Sequence, residues 1–129
     1  MKLGYVIHYV PDVEATVAFY ERAFGLARAF VSPDATFGQL ATGETGLAFC
    51  AESLVAGFDL GFQPMRPDHA PYAAEIALVT DDVAGAFARA VAAGAAPLMP
   101  ATVKPWGQTV AYVRDLNGAL VELCTPANA

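Results

Sequence analysis

The fold is decided by a stretch that the chain carries twice: YVIHYVPDV at residues 5–13 and EIALVTDDV at residues 75–83, an offset of 70 residues. A second pair repeats at an offset of 74 residues, with GLAFC at 46–50 and LVELC at 120–124. Two copies of one unit must bury a shared face, and a seam between such copies is a natural place for a ligand pocket. The repeat therefore predicts a duplicated domain that encloses a binding site.

Each copy is predicted to have the element order βαβββ. In both copies a strand precedes an aspartate that can cap a helix, Asp12 or Asp82, and a glycine ends that helix, Gly25 or Gly94. Three further strands follow in each copy, and the last two are separated by a turn. The predicted strands are 3–10, 28–32, 37–42 and 47–52 in the first copy, and 74–80, 97–102, 108–114 and 119–124 in the second.

These elements predict an α+β fold with two modules, residues 1–52 and 72–129, that form curved mixed sheets around a cavity within one compact domain. Residues 53–71 have no counterpart in the second module and are predicted to be a linker. This linker either covers a sheet edge or lies over the cavity as a lid. A ferredoxin-like βαββαβ order is the alternative, disfavoured because several consecutive strands follow each helix.

Composition excludes two classes of partner. The 129 residues carry a formal net charge of −6, which argues against nucleic acid because nucleic acid requires lysine and arginine surfaces. The chain is 56% hydrophobic, yet it has no run of about 18 apolar residues to span a membrane. No signal peptide is recognisable, so we expect a cytoplasmic protein. The two cysteines, Cys50 and Cys124, lie at matching strand positions and are predicted to be buried thiols.

The strongest chemical anomaly is a pair of glutamates in apolar strands. Strand side chains alternate between faces, so Ile76 and Leu78 should meet the helix while Glu75 faces the opposite way. The same alternation turns Glu122 towards the opposite face, and both glutamates are thus predicted to face the cavity. A carboxylate there is costly unless it is paired, liganded or protonated.

Three interpretations of the two glutamates remain open. If the carboxylates lie close together, one pKa rises, which leaves a general acid beside a general base. They could instead bind an ammonium or guanidinium group of a ligand. In the simplest alternative they pair with a nearby cation such as Arg114 or reach solvent at the end of a sheet.

Other side chains are candidates to line the cavity. Strand parity assigns Tyr9, Gln108 and Tyr112 to the cavity face, together with Cys124. His8 is predicted to be a packing residue, because its counterpart in the repeat is Leu78 on the helix side. The predicted substrate-binding residues are Tyr5, Tyr9, Trp106, Gln108 and Tyr112.

Two stretches resemble the vicinal oxygen chelate superfamily, which includes glyoxalase I, bleomycin and fosfomycin resistance proteins and extradiol dioxygenases. VPDV at 10–13, followed by AFYERAFGL at 18–26, looks like the first strand and helix of that family. GQTVAYVRDLNGALVEL at 107–123 looks like its closing hairpin. The resemblance implies the glyoxalase-like fold, a small-molecule ligand and a homodimer, and it places the loop with Trp106 near the mouth of the cavity.

The resemblance also bears on metal binding. In metal-dependent members the ligands come from the first and last strands of each module, and those positions here are Tyr5, Ala48, Glu75 and Glu122. Only the two glutamates are ordinary ligands, whereas a catalytic divalent site usually needs about three protein ligands. Glu75 and Glu122 are therefore an incomplete candidate set for a divalent ion such as Mg, Mn, Zn or Ni.

Two functional hypotheses follow. The first is a bleomycin-resistance-like binding protein without an essential metal, whose acidic and aromatic cavity holds a small organic ligand, with a cation as one option. The alternative is a glyoxalase I-like lyase or isomerase of the lactoylglutathione lyase type, in which Glu75 and Glu122 are catalytic and bind a metal or transfer a proton. Dioxygenase chemistry ranks below both.

Overall fold

The computed structural model describes residues 1–127. The chain divides into two compact units, Met1–Met65 and Arg66–Ala129. The boundary lies inside the predicted linker at 53–71. None of the helices in the described part of the chain has the length and apolar character needed to span a bilayer.

The first unit is a four-stranded mixed sheet with one long helix. Strand β1 (Tyr5–Val10) pairs in parallel with β4, and the neighbouring pairs β4–β3 and β3–β2 are antiparallel, which gives the order β1-β4-β3-β2. The remaining elements are helix α1 (Val13–Phe24), β2 (Ala27–Val31), β3 (Phe37–Ala41) and β4 (Gly46–Ala51).

The segment after β4 contains short helical structure that the sequence did not predict. Helix α2 (Glu52–Val55) is followed by a 3₁₀ turn over Ala56–Phe58, and α2 contacts β4 and the edge strand β1. The ring of Phe62 meets Tyr9 edge-on, with centroids 5.2 Å apart. This part of the segment thus belongs to the first unit, and a role as a lid stays a prediction.

The second unit repeats the topology of the first. Strand β5 (Glu75–Val79) pairs in parallel with β8, and the full order β5-β8-β7-β6 matches that of the first sheet. The other elements are helix α3 (Val83–Ala92), β6 (Ala96–Val103), β7 (Thr109–Arg114) and β8 (Leu120–Cys124). Two βαβββ modules in an α+β fold are therefore confirmed. Because three strands of the same sheet follow each long helix, the ferredoxin-like alternative is wrong.

The predicted caps explain where both long helices begin. Asp12 accepts a hydrogen bond from the backbone N–H of Ala15 at 2.9 Å, and Asp82 accepts one from Gly85 at 2.9 Å. Each carboxylate thereby satisfies an amide that has no partner within the helix. Helix α1 ends at Gly25, whose φ of 68° is left-handed and favours glycine.

One face of each sheet packs on its long helix. In the first unit, a Cβ at Gly38 of β3 would lie 2.9 Å from Val13 and 3.0 Å from Val17 of α1, so β3 and α1 are in close contact. Tyr20 and Phe49 are fully buried in the same core, with ring centroids 5.1 Å apart. In the second unit α3 contacts β6, β7 and β8.

Strand register confirms the alignment of the two copies. Tyr5 pairs with Gly46 in the first sheet, and Glu75 pairs with Leu120 in the second. These pairs are related by the two offsets, 70 and 74, that the sequence repeat has. Equivalent positions in the sequence are therefore equivalent in the sheets.

Candidate ligand site on the second sheet

The candidate site lies on the face of the second sheet that is turned away from the core. Val113, Val121 and Leu123 are almost fully buried, whereas Tyr112 and Glu122, which alternate with them, are half-buried. Tyr112 lies opposite Glu122 across the β7–β8 ladder, so both side chains project to the same face. Alternation along β5 and β8 adds Glu75 and Cys124 to this face.

Glu122 is held by hydrogen bonds within the sheet. The phenolic hydroxyl of Tyr112 donates to Glu122 Oε1 at 2.7 Å. This bond is the main reason that the pKa of Tyr112 is raised to about 12. Burial, followed by the charge of Glu122 and a hydrogen bond to it, raises the pKa of the Cys124 thiol. Both neighbours therefore stay protonated at neutral pH and act as donors to the carboxylate.

Glu75 is the second acid of the cluster. Burial among apolar strands raises its pKa, and the negative charge of Glu122 adds to the shift. Within the chain Glu75 still has solvent access, and Glu122 is half-buried. The two carboxylates lie on one face, as predicted, and the charge of one affects the pKa of the other. A cavity that encloses them stays a prediction.

Arg114 does not neutralise these glutamates. Its guanidinium donates instead to four backbone carbonyl oxygens: Gly118 at 2.9 Å, Pro67 at 3.2 Å, Arg66 at 3.3 Å and His69 at 2.6 Å. Across residues 1–127, no lysine or arginine forms a salt bridge with Glu75 or Glu122. Pairing of the glutamates with Arg114, one of the alternatives from the sequence, is thus wrong.

Trp106 and Gln108 form a separate polar link at the end of β8. The indole N–H of Trp106 donates to Gln108 Oε1 at 2.9 Å, and Gln108 Nε2 donates to the carbonyl of Thr125 at 2.7 Å. Thr125 directly follows Cys124, the last residue of β8. Trp106 is 64% exposed and presents a flat apolar surface. A ligand contact by either residue stays a prediction.

Tyr5 and Tyr9 belong to the first unit, where they share the face turned away from α1. Tyr9 contacts Phe62, whereas Tyr5 is 60% exposed. His8, on the other face, is buried with its ring 6.3 Å from Phe49, which confirms it as a packing residue. Both cysteines are free and buried, as predicted.

Sequence reasoning missed Gln39. This residue lies opposite Ala48 in the first sheet, as Tyr112 lies opposite Glu122 in the second. The repeat contains a signal for it, because Ala48 is the counterpart of Glu122. Comparing the third strands of the two modules, in addition to the first and last, would place Gln39 opposite Ala48.

The donor set does not fit a catalytic metal centre. No cluster of three or more His, Cys, Asp or Glu residues that could hold a metal ion occurs within residues 1–127. Glu75 and Glu122 supply two carboxylates, and one oxygen of Glu122 already accepts the Tyr112 hydroxyl. Catalytic sites usually offer about three protein ligands and an open position. Glu75 and Glu122 therefore do not make up the ligand set of a catalytic metal ion.

Comparisons with known proteins agree on one family. The model of the Glyoxalase/Bleomycin resistance protein/Dioxygenase superfamily matches residues 2–123. A glyoxalase-related enzyme from Fulvimarina pelagi is 25% identical, with a TM-score of 0.83 over 98% of this chain and 88% of that chain. No curated protein matches the chain.

Two further solved structures are similar in fold. TioX from Micromonospora sp. ML1 is 24% identical with a TM-score of 0.73, and the match covers 97% of this chain and 98% of that chain. A glyoxalase/bleomycin resistance protein/dioxygenase family enzyme from Burkholderia phytofirmans PsJN is 22% identical, with the same TM-score and the same two coverages. At this level of identity the two likenesses support the architecture alone.

Proposed function

We propose, from the premise that the chain belongs to the Glyoxalase/Bleomycin resistance protein/Dioxygenase superfamily, that it is a bleomycin-resistance-like protein which binds a small organic cation at Glu75 and Glu122. The observation that carries this proposal is the carboxylate pair without a counter-charge. Burial and then the charge of Glu122 raise the pKa of Glu75, and Arg114, the cation that the sequence suggested as a partner, donates to backbone carbonyls instead.

A ligand cation would relieve the repulsion between the two acids. An ammonium or amidinium group forms charge-assisted hydrogen bonds with carboxylates, and these bonds are stronger than neutral ones. Tyr112 would hold Glu122 in a fixed orientation, which reduces the side-chain entropy lost when the ligand binds. The exposed ring of Trp106 would offer a surface on which a planar or cationic group can stack.

Binding of benzamidine, which is cationic at neutral pH, tests the proposal by isothermal titration calorimetry on the full chain. We expect Glu75→Gln and Glu122→Gln each to weaken binding at least tenfold, roughly 1.4 kcal/mol. Asp81→Asn is the matched control, because it removes an exposed charge from the same unit and should leave the affinity unchanged. Benzyl alcohol, a neutral aromatic, should bind much more weakly. Equal affinity of wild type and both glutamine variants would overturn the proposal.

The same pair of acids favours one alternative, a glyoxalase I-like lyase or isomerase. The raised pKa of Glu75 suits a proton donor towards a carbonyl oxygen, and the hydrogen-bonded Glu122 suits a base at the adjacent carbon. Turnover of the hemithioacetal of methylglyoxal and glutathione, together with metal analysis of protein purified without chelator, separates the two functions. For the binding protein we expect neither turnover nor a stoichiometric ion. Turnover that is lost in both glutamine variants would establish the lyase.

A further inference from the structure

The first sheet carries an uncharged counterpart of the acidic cluster. Where the second sheet has Glu75, Tyr112 and Glu122, the equivalent positions of the first are Tyr5, Gln39 and Ala48. Nothing in the proposed function uses this face. We propose that Gln39 and Tyr5 form a neutral hydrogen-bonding site that takes a primary carboxamide.

Contacts around two glycines show that Gln39 and Tyr5 share a face. A Cβ at Gly38 would touch helix α1, so Gln39, the next residue along β3, points away from that helix. A Cβ at Gly46 would lie 2.6 Å from Nε2 of Gln39 and 3.2 Å from Cδ1 of Tyr5. The amide and the phenol ring therefore lie beside each other over the bare backbone of Gly46.

The amide of Gln39 is available for a ligand. In the second sheet the equivalent Tyr112 donates to Glu122, but Ala48 offers Gln39 no such partner. Within residues 1–127 the Gln39 side chain makes no hydrogen bond, although it is half-buried. The amide is still open to solvent, so a ligand that offers both a donor and an acceptor can take the place of water there.

The chemistry of the site selects a neutral ligand with both a donor and an acceptor. A primary carboxamide pairs reciprocally with the Gln39 side chain, because each amide then gives one N–H and accepts at one oxygen. Arg28, on the neighbouring strand β2, is held on the helix side by Glu14 and Glu21 at 2.8 and 2.9 Å. The ring of Tyr5, a residue that is 60% exposed, can pack against an aromatic group that carries the carboxamide.

Titration of the ¹⁵N-labelled full chain with benzamide tests this site by NMR, with the Gln39 side-chain NH₂ signals as readout. We expect saturable shifts of these signals with benzamide. Acetophenone, in which a methyl group replaces the NH₂ group, should bind at least tenfold more weakly. Gln39→Met keeps the length of the side chain but removes the amide, and it should weaken benzamide binding at least tenfold, as measured from the backbone amide signals of Tyr5 and Gly46.

Gly46→Ala provides a second, independent variant. Its new methyl group displaces the end of the Gln39 side chain while the strand backbone stays extended, so the amide is kept but misplaced. We expect at least a tenfold loss of benzamide affinity here as well. Gln63→Met is the control: it removes an exposed amide of the same unit and should leave the affinity for benzamide unchanged. Unchanged affinity in Gln39→Met or Gly46→Ala, or equal binding of acetophenone, would overturn the proposal. The readout is independent of Glu75 and Glu122, so this test and the cation test can fail separately.

Discussion

At the scale of single residues, Glu75 should make stability depend on pH. Its raised pKa means that the folded state favours the protonated form. The stability it contributes is therefore complete below the ordinary pKa of glutamate, about 4.3, and is lost as pH rises through the raised pKa. At neutral pH we expect Glu75→Gln to stabilise the protein by about 0.5 kcal/mol, a small value because the side chain keeps solvent access.

Thermal unfolding at a series of pH values measures this effect. The difference in melting temperature between Glu75→Gln and wild type should be positive at pH 7 and should vanish below about pH 4, where both side chains are neutral. A Glu75→Gln variant that is less stable than wild type at pH 7 would contradict the raised pKa.

The sequence could predict the shared face of Glu75 and Glu122 but not the destination of Arg114. Strand alternation needs only local information, and the same rule predicts that Tyr112 lies on the face of the two glutamates. By contrast, the guanidinium of Arg114 reaches carbonyls 45 to 48 residues away in the chain. Such contacts depend on the path of an irregular segment, which neither periodicity nor the repeat encodes.

At the scale of elements, Arg114 joins the segment before β5 to the β7–β8 turn. It lies at the end of β7 and holds the carbonyls of Arg66, Pro67 and His69, together with that of Gly118 in the turn. We expect Arg114→Met to cost about 2 kcal/mol, because several charge-assisted hydrogen bonds are lost while the apolar stem is kept. Urea unfolding gives the free energy, and hydrogen exchange should show faster exchange at His69, whose backbone N–H donates to Arg66.

Two further variants sharpen this prediction. Arg114→Lys should restore less than half of the loss, because a single ammonium cannot match the fork of a guanidinium. Arg28→Met is the matched control: it removes a guanidinium that pairs with Glu14 and Glu21 at the surface and should cost less than about 1 kcal/mol. Equal losses in Arg114→Met and Arg28→Met would show that the backbone contacts add no stability.

Helix ends and strand register could be predicted because each has a local cause. Asp12 and Gly25 bound α1 through a cap and a left-handed residue, both of which are readable in the sequence. The two repeat offsets relate the parallel strand pair of the first sheet to that of the second, so the register of one pair follows from that of the other. Helix α2 could not be predicted in this way, since four residues without a side-chain cap leave no periodic pattern.

At the scale of the whole molecule, we expect the homodimer that the family resemblance implies. Strand β1 is an edge of its sheet and exposes apolar side chains, with Tyr5, Val6 and Ile7 at 60%, 42% and 43%. An exposed apolar edge invites pairing with another chain, and proteins that stay monomeric usually protect such an edge with charges. A second copy that covers β1 would remove this surface from water.

Sedimentation equilibrium of the full chain over a range of concentrations tests for the dimer. Ile7→Lys places a charge on the β1 edge and should raise the dissociation constant at least tenfold, roughly 1.4 kcal/mol. Val103→Lys makes the same chemical change at a side chain that is 70% exposed on β6, and it should leave the association unchanged. A wild-type protein that is monomeric at every concentration would contradict the predicted dimer. If both variants weakened the association equally, β1 would not be its specific contact.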